Sequence, residues 1–224
     1  MPRTPAVTHT VLLDLDGTLA DSRPGIEATF RFMLAEMGHD PAVAGGLTWA
    51  VGPPIGVSIR GLLARCGDAP PDPARVERAI AVYRARYSAV GLYDCTVFPG
   101  VMDMLAALRA AGLTLCVATS KRRDFAERVV DHLGLRRHLS AVWGALPGGG
   151  LDDKTDMVAE LLRVEGYDPA TTVMVGDRLH DIHAARANRL RSIGVLWGYG
   201  GKAELTEAGA DALASTPAEV MARL

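Results

Sequence analysis

Thr10-Val11-Leu12-Leu13-Asp14-Leu15-Asp16-Gly17-Thr18 decides the reading of this chain. A short apolar run passes straight into two acids two residues apart. Continuous rather than alternating apolar character belongs to a strand buried on both faces, as in a parallel sheet covered by helices. In such a sheet ligands gather at the carboxyl ends of strands, so Asp14 and Asp16 are site candidates by position. Two close carboxylates repel and need a cation or a shared proton. An oxygen-only cluster suits Mg²⁺, and Gly17 lets the backbone approach a ligand.

Outward from this stretch, similar runs recur at 114–118, 141–142, 172–175, 192–196 and 211–214. Helical patterns separate the later ones. Residues 101–111 stop at Gly112, 123–133 at Gly134 and 154–164 at Gly166. Thr216-Pro217-Ala218-Glu219 reads as a capping box opening the last helix. Strands alternating with helices predict an α/β, doubly wound (Rossmann-like) parallel sheet.

One interval breaks the rhythm. The first strand ends at Asp14 and the second near Thr119, 105 residues later, whereas a simple βαβ unit needs about 30 or more. The excess reads as helix. Ser22 caps a stripe of Ile26, Phe30, Met33, Leu34 and Met37 closed by Gly38. Ile55, Ile59, Leu62, Leu63 and Cys66 form a second stripe, and Asp72-Pro73 opens a third with Val76, Ile80, Tyr83 and Tyr87. Ordinary connections are far shorter, so a helical insertion is expected at 21–96, with the core at 1–20 and 97–224.

The fourth strand repeats the first signal. After Thr172 to Val175 comes Gly176-Asp177-Arg178-Leu179-His180-Asp181. If a helix starts there, Asp177 and Asp181 share one face. Each pair alone could be mere helix capping; two pairs at two strand ends weaken that reading. The second strand ends at Thr119-Ser120-Lys121, where hydroxyls and free N–H groups suit a phosphate. The chain holds 24 basic residues but only three lysines, Lys121, Lys154 and Lys202. Two of them near strand ends suggest a task for a compact ammonium.

Composition narrows the partners. Lys+Arg is 24 against Asp+Glu 26, a formal charge of -2. That argues against a nucleic-acid binder working by bulk positive charge. The N-terminus carries no apolar run of signal or membrane-span length, so no membrane is expected. Cys66, Cys95 and Cys116 give neither a disulfide framework nor a zinc pattern, which predicts a reduced, cytoplasmic protein.

Asp14-Leu15-Asp16-Gly17-Thr18, Thr119, Lys154 and Gly176-Asp177 through Asp181 resemble the four ordered motifs of the haloacid dehalogenase-like hydrolase superfamily. The resemblance covers the whole chain, and the insertion is similar to that superfamily's type I helical cap. Gly52-Pro53-Pro54-Ile55 and the run from Gly176 to Gly200-Gly201 resemble the phosphoglycolate phosphatase-like branch, although Thr155 stands where the branch usually has Pro. The resemblance implies Asp14 as nucleophile, becoming an aspartyl phosphate, and Asp16 as general acid then base. It implies Mg²⁺ held by Asp14, Asp177 and the Asp16 carbonyl, with Asp181 behind them. It implies phosphoryl binding by Thr119, Ser120 and Lys154; Gly17 is counted with them. Because Asp16 is acidic, the resemblance points to phosphate monoesters or a phosphomutase rather than a dehalogenase.

The expected partner is a small phosphorylated metabolite, 2-phosphoglycolate first, with a nucleotide, a sugar phosphate or pyrophosphate as alternatives. Arg60 could meet a substrate carboxylate, or be an ordinary solvated Arg. Trp49, Tyr83 and Tyr87 could stack a base, though core packing is the simpler expectation. His180 and His183 are expected on a helix face rather than as ligands. A phospho-signalling receiver domain shares strand-end acids, a hydroxyl residue and Lys, but lacks both the long insertion and a general acid. A non-catalytic module that only binds a phosphorylated ligand is the other rival. A monomer or homodimer is expected.

Overall fold

The computed structural model describes residues 7–224. The expectation for the first residues therefore falls, over 1–6, outside the described part. Six strands form one sheet: β1 (Thr10–Leu13), β4 (Thr114–Arg122), β5 (Ala141–Ala145), β6 (Thr172–Gly176), β7 (Arg191–Val195) and β8 (Ala212–Ala214). Their order is β5-β4-β1-β6-β7-β8, and every pair is parallel. This is the doubly wound order, with the direction of winding reversing beside β1. The expected fold class stands.

Helices α4 (Val101–Ala110), α5 (Arg123–His132), α6 (Lys154–Glu165), α7 (Leu179–Ala187) and α8 (Lys202–Glu207) connect the strands, and α9 (Pro217–Arg223) follows the last one. The apolar strands explain the burial on both faces. Val11 and Leu13 join one core cluster while Leu12 joins another on the opposite face.

Between β1 and β4 lie α1 (Arg23–Glu36), α2 (Ile55–Arg65) and α3 (Pro73–Ala89). The stripes expected from spacing are buried, with Phe30, Met33, Leu34, Ile59, Leu62 and Leu63 at 1% exposure or less. The chain leaves and re-enters through two short strands, β2 (Ala20–Asp21) and β3 (Thr96–Val97). They pair antiparallel, Ala20 opposite Val97 and Asp21 opposite Thr96, so both crossings lie side by side.

Several local expectations are corrected. β4 continues past 118 to Arg122 across a register shift, so Thr119-Ser120-Lys121 sits within the strand. β5 runs to Ala145 rather than 142. Ser22 does not cap α1 with its side chain; its N–H donates to the Tyr199 hydroxyl at 2.9 Å. At α9 the Thr216 side chain does not bond the helix backbone, and Glu219 instead accepts from the Ser215 N–H at 3.1 Å. Asp72 does cap α3, accepting from the Arg75 N–H at 3.3 Å.

Candidate active site

The carboxyl ends of β1, β4 and β6 meet at one place. β1 and β6 are hydrogen-bonded neighbours with Leu13 opposite Val175, so the residues that follow, Asp14 and Asp177, emerge together. Carboxylate oxygens of Asp14, Asp177 and Asp181 lie within 4.8 Å of one another, all buried. α6 brings Lys154 into the cluster. Its Nζ donates to Asp14 Oδ1 at 2.7 Å and also to Asp181 Oδ1.

Each acid is fixed by further donors. Asp177 Oδ2 accepts from the Tyr199 N–H at 2.7 Å, and its Oδ1 from the Thr18 hydroxyl at 3.2 Å. Gly17 has φ +92°, and a Cβ there would lie 2.2 Å from Asp177 Oδ2. Its role in the structure is thus close packing on an acid. Asp181 Oδ2 accepts from the Arg178 N–H at 3.0 Å. It therefore caps its own helix while the other carboxylate oxygen serves the cluster; the capping and cluster readings of this acid hold together. Asp153 caps α6 by accepting from the Thr155 N–H at 2.7 Å. Proline at 155 would lack that N–H and lose this contact.

Asp16 points elsewhere. Its Oδ1 accepts from Lys121 Nζ at 2.7 Å, and Lys121 also donates to the Tyr87 hydroxyl of α3 at 2.6 Å. Lys121 thereby joins the second acid of the β1 stretch to the inserted helices. Its place among strand-end lysines was the sequence signal that marked it.

The electrostatics show what the cluster lacks. Four acids, Asp14, Asp16, Asp177 and Asp181, meet two lysines, Lys121 and Lys154. With all six ionised, two negative charges remain uncompensated. Burial raises the Asp14 carboxyl to about 6, with the Lys154 ammonium pulling the other way. Burial raises Asp177 well above the ordinary range, and Asp14 and Asp181 push the same way. Burial works against the Lys154 charge, but Asp14 and Asp181 outweigh it and hold its pKa above the usual value. A buried, oxygen-only donor set short of two positive charges fits a hard divalent cation such as Mg²⁺. His180 and His183 are not part of the cluster.

A cavity opens above Asp14 and Asp16, walled on the sheet side by Thr119, Ser120 and Lys121. Opposite stand Ile26 and Phe30 of α1, the turn from Ala50 to Ile55, and Tyr83, Arg84 and Tyr87 of α3. Tyr83 and Tyr87 are buried, as core packing predicted. Trp49 does not line the cavity; the Arg65 guanidinium lies over its ring at 4.4 Å. Arg60 is exposed and off the wall, whereas Arg84 is on it. The spacing of α3 gave no sign of Arg84, because a half-buried Arg on a helix reads as an ordinary surface residue. Arg178 was missed too. It pairs with Glu204 at 2.9 Å and donates to the Val51 carbonyl, tying the β6 end to the inserted segment.

Residues 11–195 match the family model described as haloacid dehalogenase-like hydrolase. The chain belongs to that family. Among curated members it is 37% identical over 195 residues to a 5'-nucleotidase of Pseudomonas aeruginosa, covering 87% of this chain and 86% of that one. It is 40% identical over 191 residues to the tyrosine-protein kinase PtkA of Mycobacterium tuberculosis, covering 85% of this chain but only 62% of PtkA. To a phosphoglycolate phosphatase of Synechococcus elongatus it is 31% identical over 215 residues, covering 94% of each. A solved structure described as a predicted phosphatase from Clostridium acetobutylicum superposes with a TM-score of 0.88 at 30% identity, covering 97% of this chain and 98% of that one. The enzyme class expected from the motifs, a phosphoric monoester hydrolase of the haloacid dehalogenase-like family, stands. Among the described residues no helix is long and apolar enough to cross a membrane.

Proposed function

We propose that the chain hydrolyses a small phosphomonoester with Mg²⁺ through an aspartyl phosphate on Asp14, with 2-phosphoglycolate as the first substrate. The carrying observation is that Asp14 both belongs to the buried acid cluster and faces the cavity. The similarity to a phosphoglycolate phosphatase supports the substrate. In this reading an Asp14 carboxylate oxygen bonds to phosphorus as the ester P–O bond breaks. Asp16 gives its proton to the leaving oxygen. It then takes a proton from water, whose oxygen bonds to phosphorus as the Asp14–phosphorus bond breaks and phosphate leaves. Thr119 and the Ser120 N–H bind phosphoryl oxygens, and Gly17 packs beneath them. Lys154 orients Asp14 and offsets phosphoryl charge.

Mg²⁺ would be held by Asp14, Asp177 and the Asp16 carbonyl, with Asp181 behind them, and would neutralise charge on the phosphoryl oxygens. Residues 21–96 act as a cap that covers the site and sets selectivity. Free Cys66, Cys95 and Cys116 support a reducing, cytoplasmic setting. The partner is a small metabolite rather than nucleic acid, and the assembly is a monomer or homodimer.

Phosphate release from a metabolite panel with and without Mg²⁺ tests this reading. Mg²⁺-dependent release by the natural chain, lost in Asp14→Asn with the fold retained, is expected. Activity retained in Asp14→Asn would sink the mechanism. No release from any phosphomonoester would favour a non-catalytic module. The similarity to a 5'-nucleotidase favours one second reading, a nucleoside monophosphate as substrate. The same panel separates the two.

A further inference from the structure

Three cations stand on the cavity wall: Lys121, Arg122 and Arg84. Two are already engaged. Lys121 is held by Asp16 and the Tyr87 hydroxyl. Arg122 pairs with Asp124, and its guanidinium lies 4.1 Å over the Phe125 ring. Arg84 lines the cavity half-buried on α3, with no ion-pair or hydrogen-bond partner among the described residues. A guanidinium left unpaired at the wall of a site for anions is a planar fork of donors suited to a carboxylate or a phosphate.

The neighbouring surface does not suit a nucleobase. Phe30, Tyr83, Tyr87 and Phe125 run as one aromatic column, with successive centroids 4.7, 5.5 and 5.6 Å apart. All four are buried, at 6% exposure or less. Their faces are spent on one another and on the engaged cations, so the column offers no free ring for a base to stack on. What the roof offers is one open charge beside an apolar wall.

We propose that Arg84 is the specificity-determining residue of the cavity and that the preferred substrate carries a second anionic group, a carboxylate or phosphate, a short distance from the phosphoryl group. The inference rests on the phosphatase reading and narrows it to phosphorylated acids and bisphosphates. Nucleosides and neutral sugars bearing a single phosphate fall outside that class.

The test compares kcat/KM for 2-phosphoglycolate with kcat/KM for p-nitrophenyl phosphate, whose organic group carries no charge besides the phosphate. Arg84→Gln is expected to lower the ratio by at least about tenfold, mainly through KM, because one charge-assisted contact is lost. Arg84→Lys, which keeps the charge but not the fork, should recover part of it. Arg60→Gln removes a charge from the same helical segment away from the wall, and should leave the ratio within about twofold. A ratio unmoved by Arg84→Gln, or moved equally by Arg60→Gln, overturns the inference. So does a natural chain that prefers a nucleoside monophosphate to every substrate with a second anion. If the natural chain cleaves neither test ester nor any phosphomonoester, the phosphatase reading itself fails. That result is distinct from an unmoved ratio in an active enzyme.

Discussion

The sheet side and the helical side of the cavity are built on opposite plans. On the sheet side four charged groups, Lys121, Lys154, Asp177 and Asp181, each have two partners. Lys154 serves two acids, Asp177 accepts from a backbone and a side-chain donor, and Asp181 serves both its helix and the cluster. On the helical side the surface is mostly apolar, and Arg84 stands without a partner among the described residues. A saturated network holds geometry tightly and tolerates little change. An open charge on an apolar wall fixes nothing by itself and leaves its contact to a ligand. In the proposed reading, chemistry and selectivity are thus separated in space, each with the packing it requires.

That contrast breaks most directly at Asp14. Asp14→Asn should lower turnover at least about a thousandfold for every substrate, since the nucleophile is lost whatever the leaving group. A substrate-dependent loss would erase the distinction between the two sides. Lys154→Ala comes next. It strands Asp14 and Asp181 as buried charges without their counter-ion, which should cost the metal-free fold about 3–5 kcal/mol by denaturant unfolding. Stability unchanged within error would mean the network is not the rigid element described.

The raised Asp14 carboxyl sharpens the comparison by pH. Its folded value of about 6 exceeds the ordinary 3.8. The folded chain therefore binds a proton there that the unfolded chain has released. The stabilisation this group gives is full below pH 3.8 and is lost as pH rises through about 6. For the metal-free protein, Tm should fall less between pH 5.5 and 7.5 in Asp14→Asn than in the natural chain. The Tm gain from added Mg²⁺ should grow over the same interval, as the proton leaves the metal's position. The smallest effect is expected at Tyr87→Phe, which removes one hydroxyl accepting from Lys121. The loss should be about 1 kcal/mol or less in stability, with KM altered more than kcat.

The sheet side was the legible side for a physical reason. Acids directly after buried strands are improbable unless the strand end has work to do, so Asp14, Asp16, Asp177 and Asp181 announced themselves by position. Lys154 and Lys121 stood out in a chain that otherwise uses Arg. The helical side left no such mark. Its stripes predicted α1, α2 and α3, because burying one face of a helix imposes a period. Which polar residue beside the stripe faces the cavity depends on how the helices lie over the sheet, and no period encodes that. Arg60 and Arg84 look alike in sequence; only the placement of α2 and α3 relative to the cavity sets them apart. The caps teach the same lesson on a smaller scale. Ser22 and Thr216 have the right residue type, yet a tertiary partner, Tyr199, took the Ser22 N–H, and a local one, Glu219, took the Thr216 hydroxyl.

The two-rung ladder of β2 and β3 has a consequence for how such a chain can change over generations. The inserted helices leave and return through adjacent residues, so along the chain the sheet meets them as it would meet a single turn, with side-chain ties such as Lys121 to Tyr87 and Arg178 to Val51 added across the seam. Material between Asp21 and Thr96 can be lengthened, shortened or exchanged without moving any register in the six-stranded sheet. Descent can thus try new substrate preferences as grafts on an untouched reaction centre, and a failed graft costs selectivity before it costs chemistry.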